Sequence, residues 1–163
     1  MTSQPERPAG TPGSLEPAPG EPAARLLPAD LDATIVLLRH GESEWITRGL
    51  FQGQGDSPLS DVGRRQAALA AARLAQPHAA PALPIPSGPP VAIRHSPLSR
   101  TAETAALLSK AMADGAAFGA PVPMQPDAGF LEIGQGEWEG LPGSEIVARW
   151  GLILEGWRAD PLS

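Results

Sequence analysis

Cysteine is absent from the 163 residues, which excludes disulfides and thiolate metal sites. No stretch approaches the roughly 18 consecutive apolar residues of a membrane-spanning helix. The opening MTSQPERPAG holds no apolar run and does not read as a secretory signal. A cytoplasmic location without membrane contact is therefore expected. Positive charge is scarce too, with 12 Lys and Arg against 18 Asp and Glu and a net charge of -6. That balance argues against a nucleic-acid partner, and any phosphate site must make its positive potential locally. Neither a cluster of metal ligands nor an internal repeat is visible.

Proline (20) and glycine (18) are abundant and unevenly spread. Residues 1–30 carry much of the proline and almost no large apolar side chain before Leu26. Such a segment cannot bury enough apolar surface to offset the entropy of ordering it, so it reads as a disordered tail. The second concentration, QPHAAPALPIPSGPP at 76–90, forbids a helix or a central strand and reads as an exposed connection. Residues 31–163, roughly 130 residues, are long enough to build a core.

Within that domain ATIVLL (33–38) is β-branched and apolar throughout, the pattern of a strand buried on both faces. SPLSDVGRRQAALAAARLAQ predicts a helix with Ser60 as N-cap and an apolar stripe of Val62, Leu69 and Leu74 with Ala67 and Ala70 between them. PVAIRHS predicts a second strand. SPLSRTAETAALLSKAMADG predicts a helix with Ser96 as N-cap, Pro97 at its first position and Gly115 as its stop. APVPMQPD predicts a short edge strand, and PGSEIVARWGLILEGW a third helix interrupted near Gly151. Strands alternating with helices imply an α/β fold, a layered and mostly parallel sheet with flanking helices. In such sheets ligands bind beyond the carboxyl ends of the strands, where Arg39, His40 and Ser96 fall.

Four segments, LLRHGESEW, FQGQGDSPLSDVGRRQA, SPLSRTAETA and LEIGQGEWEG, resemble in order the signatures of the histidine phosphatase superfamily. That group also contains the cofactor-dependent phosphoglycerate mutases. The resemblance implies a phosphoglycerate mutase-like fold and catalysis through a phosphohistidine. His40 would be the nucleophile, because a neutral imidazole nitrogen can attack while a hydrogen bond to the other fixes the tautomer. Arg39 and Arg100 would grip the phosphoryl oxygens with their planar forks. Gly41 would let the backbone approach the phosphate. Gln52 and Gly53 would lie on a loop over the pocket. Glu132 would be the general acid, its neutral form favoured beside a phosphate dianion, with Glu137 and Glu139 as close competitors. Arg100 pairing only with Glu103 or Glu44 is the structural alternative, and Glu42 and Glu44 read as the solvated side of a loop.

Two departures from the pattern stand out. Ile46 replaces the Asn that usually follows the Trp and removes an amide donor. The family's second active-site histidine, in a late His-Gly pair, has no counterpart after WGLILEGWRADPLS. His95 sits on the wrong element to replace it. The resemblance therefore implies a partial domain, truncated before that histidine, with marginal stability or self-association expected if it stands alone. The expected activity is a phosphomonoester phosphatase acting on a small phosphorylated metabolite without cofactor or metal. A phosphoglycerate mutase-like phosphotransferase and a non-catalytic phosphate-binding protein remain as alternatives. GEWEG favours the phosphatase branches over the mutases.

Overall fold

The computed structural model describes residues 30–115 and 120–160. The chain divides into two units, 1–33 and 34–163. Most of the first unit, including most of the proposed tail, lies outside the described residues. Residues 30–33 contain neither helix nor strand.

The second unit is an α/β arrangement. Its elements are α1 (Glu44–Thr47), α2 (Asp61–Ala75), β1 (Ile93–His95), α3 (Ser99–Asp114), β2 (Met124–Pro126) and α4 (Gly143–Ala159). Two short 3-10 turns, Ala128–Phe130 and Gly136–Trp138, precede α4. The strands β1 and β2 pair in parallel, with Ile93 opposite Met124 and His95 opposite Pro126. The connection between them is α3, so the unit is the β-α-β element expected of a parallel sheet. β2 is exposed along its length and forms an edge, as its proline suggests.

Helix α2 begins as expected. The Ser60 side chain accepts the Gly63 N–H at 3.0 Å, satisfying one of the orphan donors of the first turn. Its buried face matches the expected stripe only in part, at Ala67 and at Leu74, which packs against the core. Gly63, Ala67, Ala71 and Ala75 are buried at a spacing of four, while Val62 and Leu69 are exposed. A row of residues without long side chains lets a neighbouring helix approach closely. That neighbour is α3, which contributes Leu108 and Met112 to a core shared with Ala71, Ala75 and Val122. Larger residues elsewhere on α2 misled the sequence reading, because size was taken as a proxy for burial.

Helix α3 starts two residues later than expected. Its N-cap is Leu98, which supplies no side-chain bond. Ser96 instead accepts the Leu98 N–H at 3.3 Å in the entering turn. The capping comes from a distant loop. Asp56 Oδ1 accepts both the Ser99 N–H and the Ser99 hydroxyl at 2.7 Å. A carboxylate there also complements the helix dipole. Gly115 closes the helix as anticipated, donating its N–H to the Ala111 carbonyl at 3.0 Å. In α4 the interruption falls at Trp150 (φ -135°, ψ 30°), one residue before Gly151.

The largest departure is the segment read as a buried strand. Residues 33–38 form no strand, and Ile35 and Leu37 are 65 % and 88 % exposed. A strand is stabilised by ladder partners and covered faces. The described sheet provides neither to this segment, since β1 and β2 pair with each other. The 76–90 connection contains no helix or strand and is mostly exposed, as its prolines dictate.

Candidate active site

Arg39 and His40 lead into a turn seated on the first turn of α2. The Glu42 carbonyl accepts the Ser60 N–H at 2.9 Å, and the Glu42 N–H donates to Gln66 Oε1 at 2.9 Å. Glu42 is thus no solvated loop residue. Its carboxylate accepts the hydroxyls of Ser60 at 2.7 Å and Thr47 at 3.1 Å. The turn and the helix touch backbone to backbone. A Cβ on Gly41 would stand 2.2 Å from the Gly63 carbonyl oxygen, and one on Gly63 would stand 1.9 Å from that of Glu42. Gly41 therefore serves close packing on α2, an approach that fixes where His40 emerges. Gly63→Ala is expected to destabilise the domain by about 1–3 kcal/mol, read as a lower urea midpoint at unchanged slope.

The imidazole of His40 is half-buried. Its Nδ1 lies 2.7 Å from the Gly41 carbonyl oxygen. A carbonyl only accepts, so Nδ1 carries the proton and Nε2 keeps its lone pair. Burial lowers the His40 pKa from its ordinary 6.5, the Gly41 hydrogen bond partly opposes this, and the Arg100 and Arg39 charges lower it further. The ring is held neutral, in the tautomer a nucleophile needs.

Arg100, in the first turn of α3, is 2 % exposed. It pairs with neither Glu103 nor Glu44. Glu103 is engaged by Arg64 at 2.6 Å. The Arg100 Nη1 and Nη2 donate to the Gly55 and Gly53 carbonyls at 2.8 and 2.9 Å. One guanidinium thus shapes the loop at 53–55. Burial lowers the Arg100 pKa, with Asp56, Glu132 and Glu139 opposing. A guanidinium nonetheless stays charged at any accessible pH. Gly53 itself takes a positive φ of 50°. The neighbouring Gln52 accepts a short hydrogen bond from the buried Ser43 hydroxyl through its amide oxygen, which leaves the amide NH₂ for other partners.

Arg39, His40, Phe51, Gln52, Gly53, Arg100, Glu132 and Gln135 line one cleft of about 420 Å³. All six residues singled out from the sequence face it. Arg100 and Glu132 reach it from the elements that follow β1 and β2, the carboxyl side of the parallel pair. Phe51, beside Gln52, and Gln135, three residues after Glu132, went unnoticed. Ile46 is not part of the lining, and neither is His95, whose Nδ1 meets the Ser96 carbonyl at 2.8 Å. Trp138 is a packing residue, edge-on to Phe51 at 6.2 Å and to Trp157 of α4 at 6.0 Å.

Among the described residues, two buried side-chain polar atoms have no hydrogen-bond partner, Arg100 Nε and Gln135 Oε1. Both belong to cleft residues. No group of three or more His, Cys, Asp or Glu side chains among the described residues is placed to hold a metal ion.

Comparison with known proteins agrees with this geometry. Residues 35–163 match the histidine phosphatase superfamily (branch 1). The glucosyl-3-phosphoglycerate phosphatase of Mycolicibacterium vanbaalenii is 34% identical over 126 residues, covering 77% of this chain and 48% of that protein. Phosphoserine phosphatase 1 of Hydrogenobacter thermophilus is 30% identical over 127 residues, covering 78% of this chain and 51% of that protein. A solved mycobacterial glucosyl-3-phosphoglycerate phosphatase complexed with VO3 superposes with a TM-score of 0.55 at 29% identity, covering 73% of this chain and 50% of that one. The chain spans about half the length of the curated relatives it matches. A neutral, tautomer-fixed histidine beside two arginines, on a parallel β-α-β frame whose sequence matches the family from Ile35 onward, places this chain in the histidine phosphatase superfamily.

Proposed function

We propose that the cleft belongs to a phosphomonoester phosphatase that works through a phosphohistidine. The observation that carries this reading is the His40 Nδ1 contact with the Gly41 carbonyl, which leaves Nε2 unprotonated in a cleft with two guanidinium groups. Nε2 attacks phosphorus as the bond to the leaving oxygen breaks. Glu132 donates its proton to that oxygen. Water then attacks the phosphorus, the N–P bond breaks, Glu132 takes a proton from the water, and inorganic phosphate leaves. Arg39 and Arg100 hold the phosphoryl oxygens with their charge, compensating charge that develops in transfer. The Gln52 amide provides the donor expected, and absent, at Ile46.

Relatives named for glucosyl-3-phosphoglycerate and phosphoserine support a small phosphorylated metabolite as the substrate. The cleft's size fits that class, since small-molecule sites run about 300–1,000 Å³. The test is to supply a panel of small phosphomonoesters and measure phosphate release beside isomerisation of phosphoglycerate. Release without isomerisation supports a phosphatase. Isomerisation supports the mutase-like reading, and binding with neither supports a phosphate-binding protein.

The lowered His40 pKa gives a pH prediction. Protonation removes the attacking lone pair, so kcat/KM falls on acidification. The imidazolium is disfavoured by burial and two cations, so the fall is centred below 6.5. Arg39→Ala removes one opposing cation and should move that limb to higher pH. A limb at or above 6.5 in the unaltered protein contradicts the assignment.

A further inference from the structure

Glu139 competed with Glu132 for the role of acid in the sequence, and the structure gives it different work. Its Oε1 accepts the Gln54 N–H at 2.9 Å and the Gln135 N–H at 2.8 Å. The oxygen therefore ties two segments that wall the cleft, one carrying Gln52 and Gly53, the other Glu132 and Gln135. Gln54 adds a second tie, donating from Nε2 to the Glu132 carbonyl at 3.0 Å. The anchor is itself fixed. The flanking Gly140 N–H donates to the Phe51 carbonyl at 2.8 Å, and the Phe51 N–H to the Leu141 carbonyl at 3.0 Å. Gly53 packs so closely on the carboxylate that a Cβ there would stand 2.3 Å from Oε1. Glu132 itself is exposed, and its Oε1 accepts the N–H of the adjacent Ile133 at 3.0 Å.

We propose that Glu139 is a positioning residue, clamping the 52–54 loop to the 132–135 segment so that the Glu132 carboxyl stands at the leaving oxygen. The role rests on the phosphatase reading above. It predicts a dependence on leaving group, because p-nitrophenolate departs without a proton whereas an alkoxide needs one. Glu139→Ala should lower kcat/KM, which reports transfer to His40 rather than the hydrolysis both esters share, by about 10–100-fold for an alkyl monoester such as glycerol phosphate and by about threefold or less for p-nitrophenyl phosphate. Glu139→Gln keeps an oxygen able to accept both N–H groups and should recover most of the alkyl activity. In a Glu132→Gln background, Glu139→Ala should add almost nothing, since the two act as a unit.

Equal losses on both esters, an additive double variant, or a Gln variant as damaged as the Ala variant each overturn the role. If Glu139→Ala does not fold, Gln54→Ala carries the test. Gln54 is exposed, and that variant removes only the tie to the Glu132 carbonyl. It should show the same alkyl-selective loss at smaller amplitude, and a loss equal on both esters overturns the role there too. An unaltered protein that hydrolyses neither ester overturns the phosphatase reading and this role with it. One that hydrolyses both, with unselective losses in the variants, overturns this role alone.

Discussion

Replacing His40 with alanine should abolish covalent phosphoryl transfer and lower phosphate release by on the order of 10⁴-fold or more, as removal of a covalent nucleophile does elsewhere. The size follows from the chemistry. Phosphate-monoester hydrolysis is among the slowest uncatalysed reactions. The remaining arginines bind and polarise the phosphoryl group but cannot accept it. Stability should change little, because the ring is half-buried and its side-chain hydrogen bond runs to the adjacent carbonyl. The measurement is phosphate release with purified variant protein beside a urea unfolding curve. Loss of activity with an unchanged midpoint is the expected pair.

Arg100→Ala should damage both function and fold. The guanidinium serves two carbonyls, those of Gly53 and Gly55, from a position 2 % exposed. Removing it takes from the Gly53 carbonyl its guanidinium donor, costing about 1–3 kcal/mol where water cannot replace the bond, and leaves the Gly55 carbonyl with the Ser57 N–H at 3.2 Å. It also deletes the cleft's buried cation, and losing one preorganised charge-stabilising group typically costs about 10²–10³ in rate. Arg100→Lys restores the charge without the fork. An ammonium is a point donor and cannot span both carbonyls as the planar fork does. The lysine variant should therefore keep most of both defects. A lysine variant with full activity and an unchanged urea midpoint would show that charge alone matters at this position.

The elements set by local chemistry were legible in the sequence. Ser60 caps α2 because its hydroxyl acts within its own first turn, and Gly115 stands where α3 ends, in extended backbone. The break in α4 was placed within one residue. The parallel pairing of β1 and β2 followed from alternation of strand and helix. What escaped depended on partners distant in the chain. The 33–38 run has the composition of a buried strand, but composition records the capacity to pair and says nothing of whether a partner stands alongside. Of the close face of α2 only Ala67 was anticipated, because Gly63 and the alanines give a faint hydrophobic signal, though their four-residue spacing was visible. Asp56 capping α3 joins residues 43 apart, a relation no local motif encodes.

The cleft shows the same division. Arg39, His40, Gln52, Gly53, Arg100 and Glu132 were chosen from ordered motifs, and all six line it. What the motifs did not show is how the six are held. That Gly41 and Gly63 touch, that Arg100 spends two of its nitrogens on loop carbonyls, and that Glu139 bonds to backbone N–H groups all follow from tertiary approach. Each concerns backbone atoms, which a sequence of side chains does not display.

The central claim is that His40 accepts a phosphoryl group in a cleft where Arg39 and Arg100 hold it. Its most direct test is brief incubation with a ³²P-labelled phosphomonoester, a quench, and peptide mapping of the protein-bound label. The account predicts a base-stable, acid-labile adduct on the peptide containing His40, absent from His40→Ala and diminished in Arg100→Ala. Label on another residue, an acid-stable adduct, or undiminished labelling of His40→Ala would contradict it.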